Sequence, residues 1–221
     1  MPGRRSIAGA LAVTTFVVAG CGIDPPSSIV GVAVNGCGLT EERGSGIIIR
    51  DGLVLTSAHV LRGAKQVEVT RDDVAYDAEI VGFDPEMDLA YLAIDRVGES
   101  PLAVASGGAE AGDVGSAWVV RRDGIARIDV RVRRRLTINT EDIYVKGETS
   151  RPGWELDADI EPGDSGGAVI VDGSVIGVLW ARSRRFPGRS YAIDPDRAGD
   201  RIDAQLADGE LGDDIDISRC S

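Results

Sequence analysis

The 221-residue sequence predicts an all-β fold, a barrel or a sandwich, and three observations carry that reading. Short runs rich in valine, isoleucine and leucine recur along the chain, separated by turn residues. Glycine occurs 29 times, which suits frequent tight turns. Only one stretch, residues 196–206, has a helical period, with Ala198, Ile202 and Leu206 spaced four apart. Hydrophobic residues make up 43% and charged residues 27%, which excludes a disordered tail and a polytopic membrane protein. Aromatics are 5%, so the core has to be built from aliphatic side chains and alanine. No internal repeat, low-complexity region or second domain stands out.

The elements follow in chain order. Arg4 and Arg5 precede an uncharged apolar stretch, residues 7–20, too short for a comfortable membrane span but suited to a secretory signal. It ends in Val18-Ala19-Gly20-Cys21, which resembles the bacterial lipobox. That resemblance implies cleavage before Cys21 and a diacylglycerol on its thiol; an ordinary signal peptide or an uncleaved anchor are the alternatives. Residues 1–20 are thus expected to be the signal and 21–28 a linker, through Asp24-Pro25-Pro26. The folded region is expected over 29–221. Residues 47–49 and 53–56 flank Asp51-Gly52 as a hairpin. Residues 67–70, 75–81, 89–94 and 115–120 read as further strands. Over residues 125–138, Ala126, Ile128, Val130, Val132, Leu136 and Ile138 share one parity. Arg127, Asp129, Arg131, Arg133 and Arg135 share the other, which predicts one half-buried strand with an arginine-rich outer face. That face reads as solvated and balanced by nearby acids rather than as a polyanion site. Residues 168–171 and 174–180 flank Asp172-Gly173 as a second hairpin.

The charge balance narrows the function. The formal net charge is −12, which argues against nucleic acid as a partner. Removing residues 1–20 takes away two arginines and no acid, so an exported chain is more acidic still. His59 is the only histidine, which excludes His-rich zinc sites and H-E-x-x-H metalloproteases; no metal or cofactor is expected. The cysteines are Cys21, Cys37 and Cys220. If Cys21 carries lipid, Cys37 and Cys220 remain as a pair near the two ends of the folded region, either bridged or as two unrelated thiols.

Three segments carry the chemistry: Thr56-Ser57-Ala58-His59-Val60, then Asp84-Pro85-Glu86-Met87-Asp88-Leu89-Ala90, then Gly163-Asp164-Ser165-Gly166-Gly167. A serine among glycines can be raised on a tight turn, with backbone N–H groups converging on a developing oxyanion. Serine needs a base, and His59 is the one imidazole available. The imidazole in turn needs an acceptor, for which Asp88 is best placed, at the start of an apolar run. An α/β-hydrolase would place its histidine after the serine, and none follows Ser165. A subtilisin-type order would need Asp24 or Asp51 before His59, against a helix-poor pattern. The order His59, Asp88, Ser165 is the chymotrypsin-like one.

With Gly44-Ser45-Gly46, TSAHV, DPEMDLA and PGDSGG in this order, the chain resembles the trypsin-like serine endopeptidases of the Deg/HtrA group. Within that group it is most similar to the catalytic domain of the actinobacterial acid-resistance membrane protease, through the cysteine before Gly44 and through Tyr191-Ala192-Ile193. The resemblance covers roughly residues 29–195. It implies two perpendicular six-stranded β-barrels, with a short C-terminal helix after them, and a cleft between the barrels. It implies His59 as general base, Asp88 as its orienter and Ser165 as nucleophile, with the Gly163 and Ser165 N–H groups as oxyanion hole. Ala168 stands where the family usually has proline, and no PDZ domain is expected after the protease domain.

In trypsin-like enzymes the residue six before the serine floors the S1 pocket. Here it is Asp159, whose carboxylate, if buried, favours Arg or Lys at P1; a solvated acidic loop with Asp157 and Glu161 is the alternative. The strand through Trp180, Ala181 and Ser183 is expected to pair with substrate backbone, with Arg182, Arg184 and Arg185 at the cleft mouth. The expected activity is therefore serine endopeptidase action on extracytoplasmic protein, by a lipid-anchored monomer on the outer face of a bacterial membrane. The alternative is a catalytically silent, protease-like binding module at the cell surface.

Overall fold

The computed structural model describes residues 24–36, 41–95, 100–209 and 217. The expected signal segment, the lipidation site Cys21 and the expected bridge partners Cys37 and Cys220 lie outside the described residues.

The described strands close into two barrels of six. The first holds β1 (Ile29–Asn35), β2 (Glu42–Arg50), β3 (Leu53–Thr56), β4 (Gln66–Arg71), β5 (Val74–Asp84) and β6 (Leu89–Ile94), in the order β1-β2-β3-β6-β5-β4. The β1–β4 pairing closes it, with Val32 opposite Val69. The second holds β7 (Val114–Arg121), β8 (Gly124–Glu141), β9 (Glu148–Asp157), β10 (Ala168–Val171), β11 (Ser174–Arg182) and β12 (Arg189–Ile193), in the order β10-β11-β12-β9-β8-β7. The β10–β7 pairing closes it, with Ala168 opposite Trp118. Both expected hairpins form, and closure removes the open sheet edges that would invite aggregation.

Period-2 alternation explains how these strands make three cores rather than two. Val30, Val32 and Val34 of β1 fill the first barrel with Val54 and Leu92, while Val119, Val130, Val132 and Trp154 fill the second. A third cluster draws on both barrels and joins them: Ile29, Ile47 and Leu55 meet Trp118, Ile138 and Ile193. β1 is therefore buried on both faces, which is why it lacks the polar alternation of a half-exposed strand.

The strand of residues 125–138 departs from the single-face expectation. A bulge between Val132 and Arg134 puts one extra residue into β8. Before it, Ala126, Ile128, Val130 and Val132 face the second barrel's interior. After it the same parity faces the other way: Leu136 and Ile138 pack into the cluster between the barrels. Arg135, expected outside, lies over the Trp154 ring at 4.4 Å. The remaining arginine face is balanced by acids, with Arg134 and Arg189 on Glu155 at 2.6 and 3.0 Å and Arg133 on Asp157 at 3.0 Å. The expected single helix is two: α1 (Pro195–Ala198) and α2 (Asp200–Asp208), divided at Gly199. α2 docks on the first barrel, where Ile202 is buried.

Candidate active site

His59 sits in a short 3-10 turn, residues Ala58–Leu61, directly after β3. Its neighbours Ala58, Val60 and Leu61 are buried, so the turn is anchored from below while the imidazole keeps a side-chain exposure of 32%. Asp88 is 1% exposed and uses both oxygens on His59. Oδ1 accepts the His59 backbone N–H at 2.7 Å and Oδ2 accepts Nδ1–H at 2.8 Å, leaving Nε2 as the ring's open nitrogen. Burial works to lower the imidazole's titration point, and the charge and hydrogen bond of Asp88 work to raise it. Arg151 and Arg62 also act to lower it, and the net displacement is upward from 6.5.

The loop that presents Asp88 is over-determined. Asp88 has φ +60°, a left-handed conformation that costs a non-glycine residue about 1 kcal/mol or more and persists only when its surroundings impose it. Asp84 Oδ1 accepts the N–H groups of Glu86 and Met87 at 2.9 and 3.0 Å. From α2, Gln205 accepts the Phe83 N–H at 2.7 Å and donates to the Phe83 carbonyl at 3.2 Å, behaving as a one-residue strand. Arg201 adds contacts to Asp84 and Glu86.

Ser165 stands between two turns. The Asp164 N–H donates to the Glu161 carbonyl at 3.1 Å, closing a turn with Pro162 second and Gly163 third, at φ +101°. Pro at the second and a left-handed glycine at the third position is the type II pattern. A second turn follows, from the Gly167 N–H to the Asp164 carbonyl at 3.1 Å, with Gly166 at φ +82°. Ser165 is thus held at a crest. Among the described residues the N–H groups of Gly163 and Ser165 make no hydrogen bond, while those of Asp164, Gly166 and Gly167 do.

The turn is stitched to the segment leading into His59. The Ser45 N–H donates to the Ser165 carbonyl at 2.8 Å, and Thr56 Oγ1 donates to the Ser45 carbonyl at 2.7 Å. The Leu179 carbonyl takes both Ser57 Oγ at 3.2 Å and the Gly166 N–H at 2.9 Å. Gly166 tolerates no side chain, since a Cβ would stand 2.0 Å from the Ser45 carbonyl oxygen. Ser45 Oγ in turn accepts the Val120 N–H at 2.8 Å, which ties Gly44-Ser45-Gly46 to both barrels. Among the described residues no hydrogen bond joins His59 to Ser165 Oγ. Such contacts are often long in an unliganded site.

Sequence reasoning passed over what holds the turn from behind. The Asp164 carboxylate, 1% exposed, is gripped by Arg121 through Nε at 2.9 Å and Nη2 at 2.8 Å, and also accepts the Glu161 N–H at 2.7 Å. A cleft of about 640 Å³ opens beside it, lined by Arg43, Gly44, Arg121, Glu161 and Gly163. Arg121 sits in an Arg121-Arg122-Asp123-Gly124 turn that reads as a solvated hairpin end, so nothing local marks it. Asp159 departs from expectation: it is exposed between buried Ala158 and Ile160, so it is not the buried S1 carboxylate that a basic P1 preference requires. Trp180 and Ala181 are half-buried on β11, and Ser183 Oγ accepts the N–H groups of Arg185 and Phe186 in the following loop. Among the described residues, β11 has no strand partner on its β10 side beyond Val178, where Leu179 bonds Gly166 and Gly167 of the turn instead. Among the described residues no cluster of His, Cys, Asp and Glu could hold a metal ion.

A protein-family model described as a trypsin-like peptidase domain matches residues 44–178. Serine protease Rv3671c of Mycobacterium tuberculosis is 34% identical over 140 residues, covering 62% of this chain and 35% of that protein. A probable periplasmic serine endoprotease of Halomonas elongata, DegP-like, is 34% identical over 188 residues, covering 79% of this chain and 38% of that protein. The chain thus spans little more than a third of the length of these curated relatives. The crystal structure of the Rv3671c protease in its active form superposes with a TM-score of 0.76 at 27% identity, over 88% of this chain and 86% of that one. The two closed barrels, the His59–Asp88 pair and the glycine turns around Ser165 agree with these likenesses, and the chain belongs to the trypsin-like peptidase domain family, beside the Deg/HtrA-like serine proteases.

Proposed function

We propose that this chain is a serine endopeptidase that cleaves extracytoplasmic proteins through His59, Asp88 and Ser165. The observation that carries the proposal is the Ser165 crest, where two N–H groups without partners among the described residues flank the hydroxyl and the turn is joined through Ser45 and Leu179 to the segment leading into His59. His59 Nε2 takes the Ser165 Oγ proton as Oγ attacks the scissile carbonyl. The oxyanion accepts from the Gly163 and Ser165 N–H groups, and Asp88 steadies the imidazolium. His59 then gives its proton to the leaving amine. Water, deprotonated by His59, hydrolyses the acyl-enzyme. Substrate is read as an added strand on the open side of β11 at Trp180 and Ala181 and at Ser183 just past its end, where Arg182, Arg184 and Arg185 suit acidic side chains.

Labelling with a fluorophosphonate probe tests this reading. The wild type should label between mildly acidic and mildly alkaline pH and Ser165→Ala should not. A wild type that never labels favours the silent binding module. Export with lipid on Cys21 belongs to the same proposal, as does a bridge from Cys37 to Cys220. The bridge is supported by Gly63: its N–H bonds the Ile217 carbonyl at 2.7 Å, while its own carbonyl lies against Gly36. Mass spectrometry of the membrane-extracted protein, with and without reductant, reads both.

A further inference from the structure

Arg151 is a buried cation that the proposed chemistry leaves unused. It lies on β9 of the second barrel, 1% exposed, and no carboxylate pairs with it among the described residues. Its guanidinium is spent on main-chain carbonyls: Nε donates to Glu86, and Nη2 donates to Glu141 at 3.2 Å and to Pro85 at 3.4 Å. Pro85 and Glu86 belong to the first barrel and lead into Asp88. The N–H groups of this loop turn toward Asp84 and its carbonyls toward Arg151, so the clamp from the second barrel completes the one built within the first. The other face of the guanidinium is 5.2 Å from the Trp180 ring, on the strand expected to meet substrate.

A bare guanidinium is expensive to bury, and neutral carbonyls alone compensate it poorly. The acids whose charge reaches it are Asp88, Asp84 and Asp142. Resting on the peptidase reading above, we propose that Arg151 is a positioning residue for the His59–Asp88 couple: its carbonyl clamp fixes the loop that aims Asp88, and its charge sets the balance of the pair. The charged groups facing His59 are Asp88 from the loop before β6, Arg62 from the turn after His59, and Arg151 from β9. Asp88 favours the imidazolium and the two arginines oppose it. Removing the Arg151 charge therefore moves the His59 titration upward.

His59 is the only imidazole in the chain, so its ring proton can be followed by NMR without ambiguity and without turnover. A shift can then be read even where the peptidase reading fails. Arg151→Met keeps the stem and deletes the charge. It should raise the His59 midpoint and lower kcat/KM about tenfold or more, as misplacement of a catalytic group does. Arg151→Lys keeps the charge but cannot span three carbonyls, so the midpoint should stay while kcat falls. An unchanged or lowered midpoint in Arg151→Met overturns the electrostatic half of the proposal. Wild-type kcat in Arg151→Lys overturns the clamp, and that variant alone decides if Arg151→Met does not fold.

Discussion

Replacing Arg121 by glutamine tests how the turn that presents Ser165 is kept in shape. The substitution removes two charge-assisted hydrogen bonds, at 2.9 and 2.8 Å, from a carboxylate that is 1% exposed. It leaves Asp164 with the Glu161 N–H as its remaining side-chain contact. Each such bond contributes about 1.5–3 kcal/mol. The guanidinium is itself 28% exposed, and the adjoining cleft lets water reach the orphaned carboxylate, so the sum is discounted to about 2–4 kcal/mol. For a domain of this size that lowers Tm by roughly 5–15 °C. Asp164→Asn should cost less, and the double variant, which buries no lone charge, should recover about 1–3 kcal/mol of coupling. Because Asp164 joins Gly163 to Ser165, the turn loosens locally as well. Acylation by a fluorophosphonate, measured well below Tm, should slow about 100-fold or more, as when one oxyanion donor is lost. Thermal unfolding by circular dichroism and the second-order labelling rate read the two effects separately. A Tm loss below about 1 °C, or coupling near zero, refutes the energetic reasoning. A normal labelling rate beside a large Tm loss refutes the link to the oxyanion turn.

Two glycines of the same turn should fail differently. Gly166→Ala drives a methyl to 2.0 Å from the Ser45 carbonyl oxygen at φ +82°, so labelling and soluble yield should both collapse. Gly163→Ala meets nothing within 4 Å and carries only the cost of φ +101°, about 1–2 kcal/mol, so it should fold and label slowly. Since the base must be neutral and its folded titration point is raised, the acid limb of kcat/KM should have its midpoint above 6.5, and Asp88→Asn should move it down. The same sign governs stability: the His59–Asp88 pair stabilises fully below the unfolded histidine value and is lost as pH rises through the folded one. Asp88→Asn should therefore destabilise most under acid conditions and less under alkaline ones, as pH-dependent melts will read. Gln205→Ala orphans both backbone groups of Phe83 and should cost about 1–3 kcal/mol in urea unfolding, with a weaker effect on labelling.

What could be read from the sequence was what is local. The hairpins at Asp51-Gly52 and Asp172-Gly173, the strands between them and the three chemical segments depend on neighbouring residues and their periods. The supports of the site do not. Arg121 grips Asp164 from 43 residues away, Arg151 reaches Glu86 across 65, and Gln205 reaches Phe83 across 122. Each pair exists only once distant parts of the chain have packed together, and no short pattern records it. Asp159 shows the converse: its offset from Ser165 suggested a role, yet its exposure is set by the path of the chain between Ala158 and Ile160.

The bulge in β8 connects these two levels. Uninterrupted alternation over residues 125–138 would hold Leu136 and Ile138 inside the second barrel and slide this half of β8 by one residue along β9. The register places Ile138 opposite Arg151, and directly opposed residues share a face. With the bulge between Val132 and Arg134, Leu136 and Ile138 turn from the barrel interior to the seam between the barrels and meet the face of β9 that carries Arg151. Arg135 and Trp154, opposed three positions earlier, share the other side and stack. One inserted residue therefore decides whether Ile138 packs beside Arg151 in the seam or turns away from it into the second barrel, while the alternation of β9 from Leu156 and Trp154 sets the side that Arg151 takes. Deleting Arg133 removes the extra residue and leaves Ile138 opposite Arg151, so the His59 midpoint should stay at its wild-type value while the lost surface pair with Asp157 costs about 1 kcal/mol or less; a moved midpoint would show that the bulge itself, and not the alternation of β9, aims Arg151.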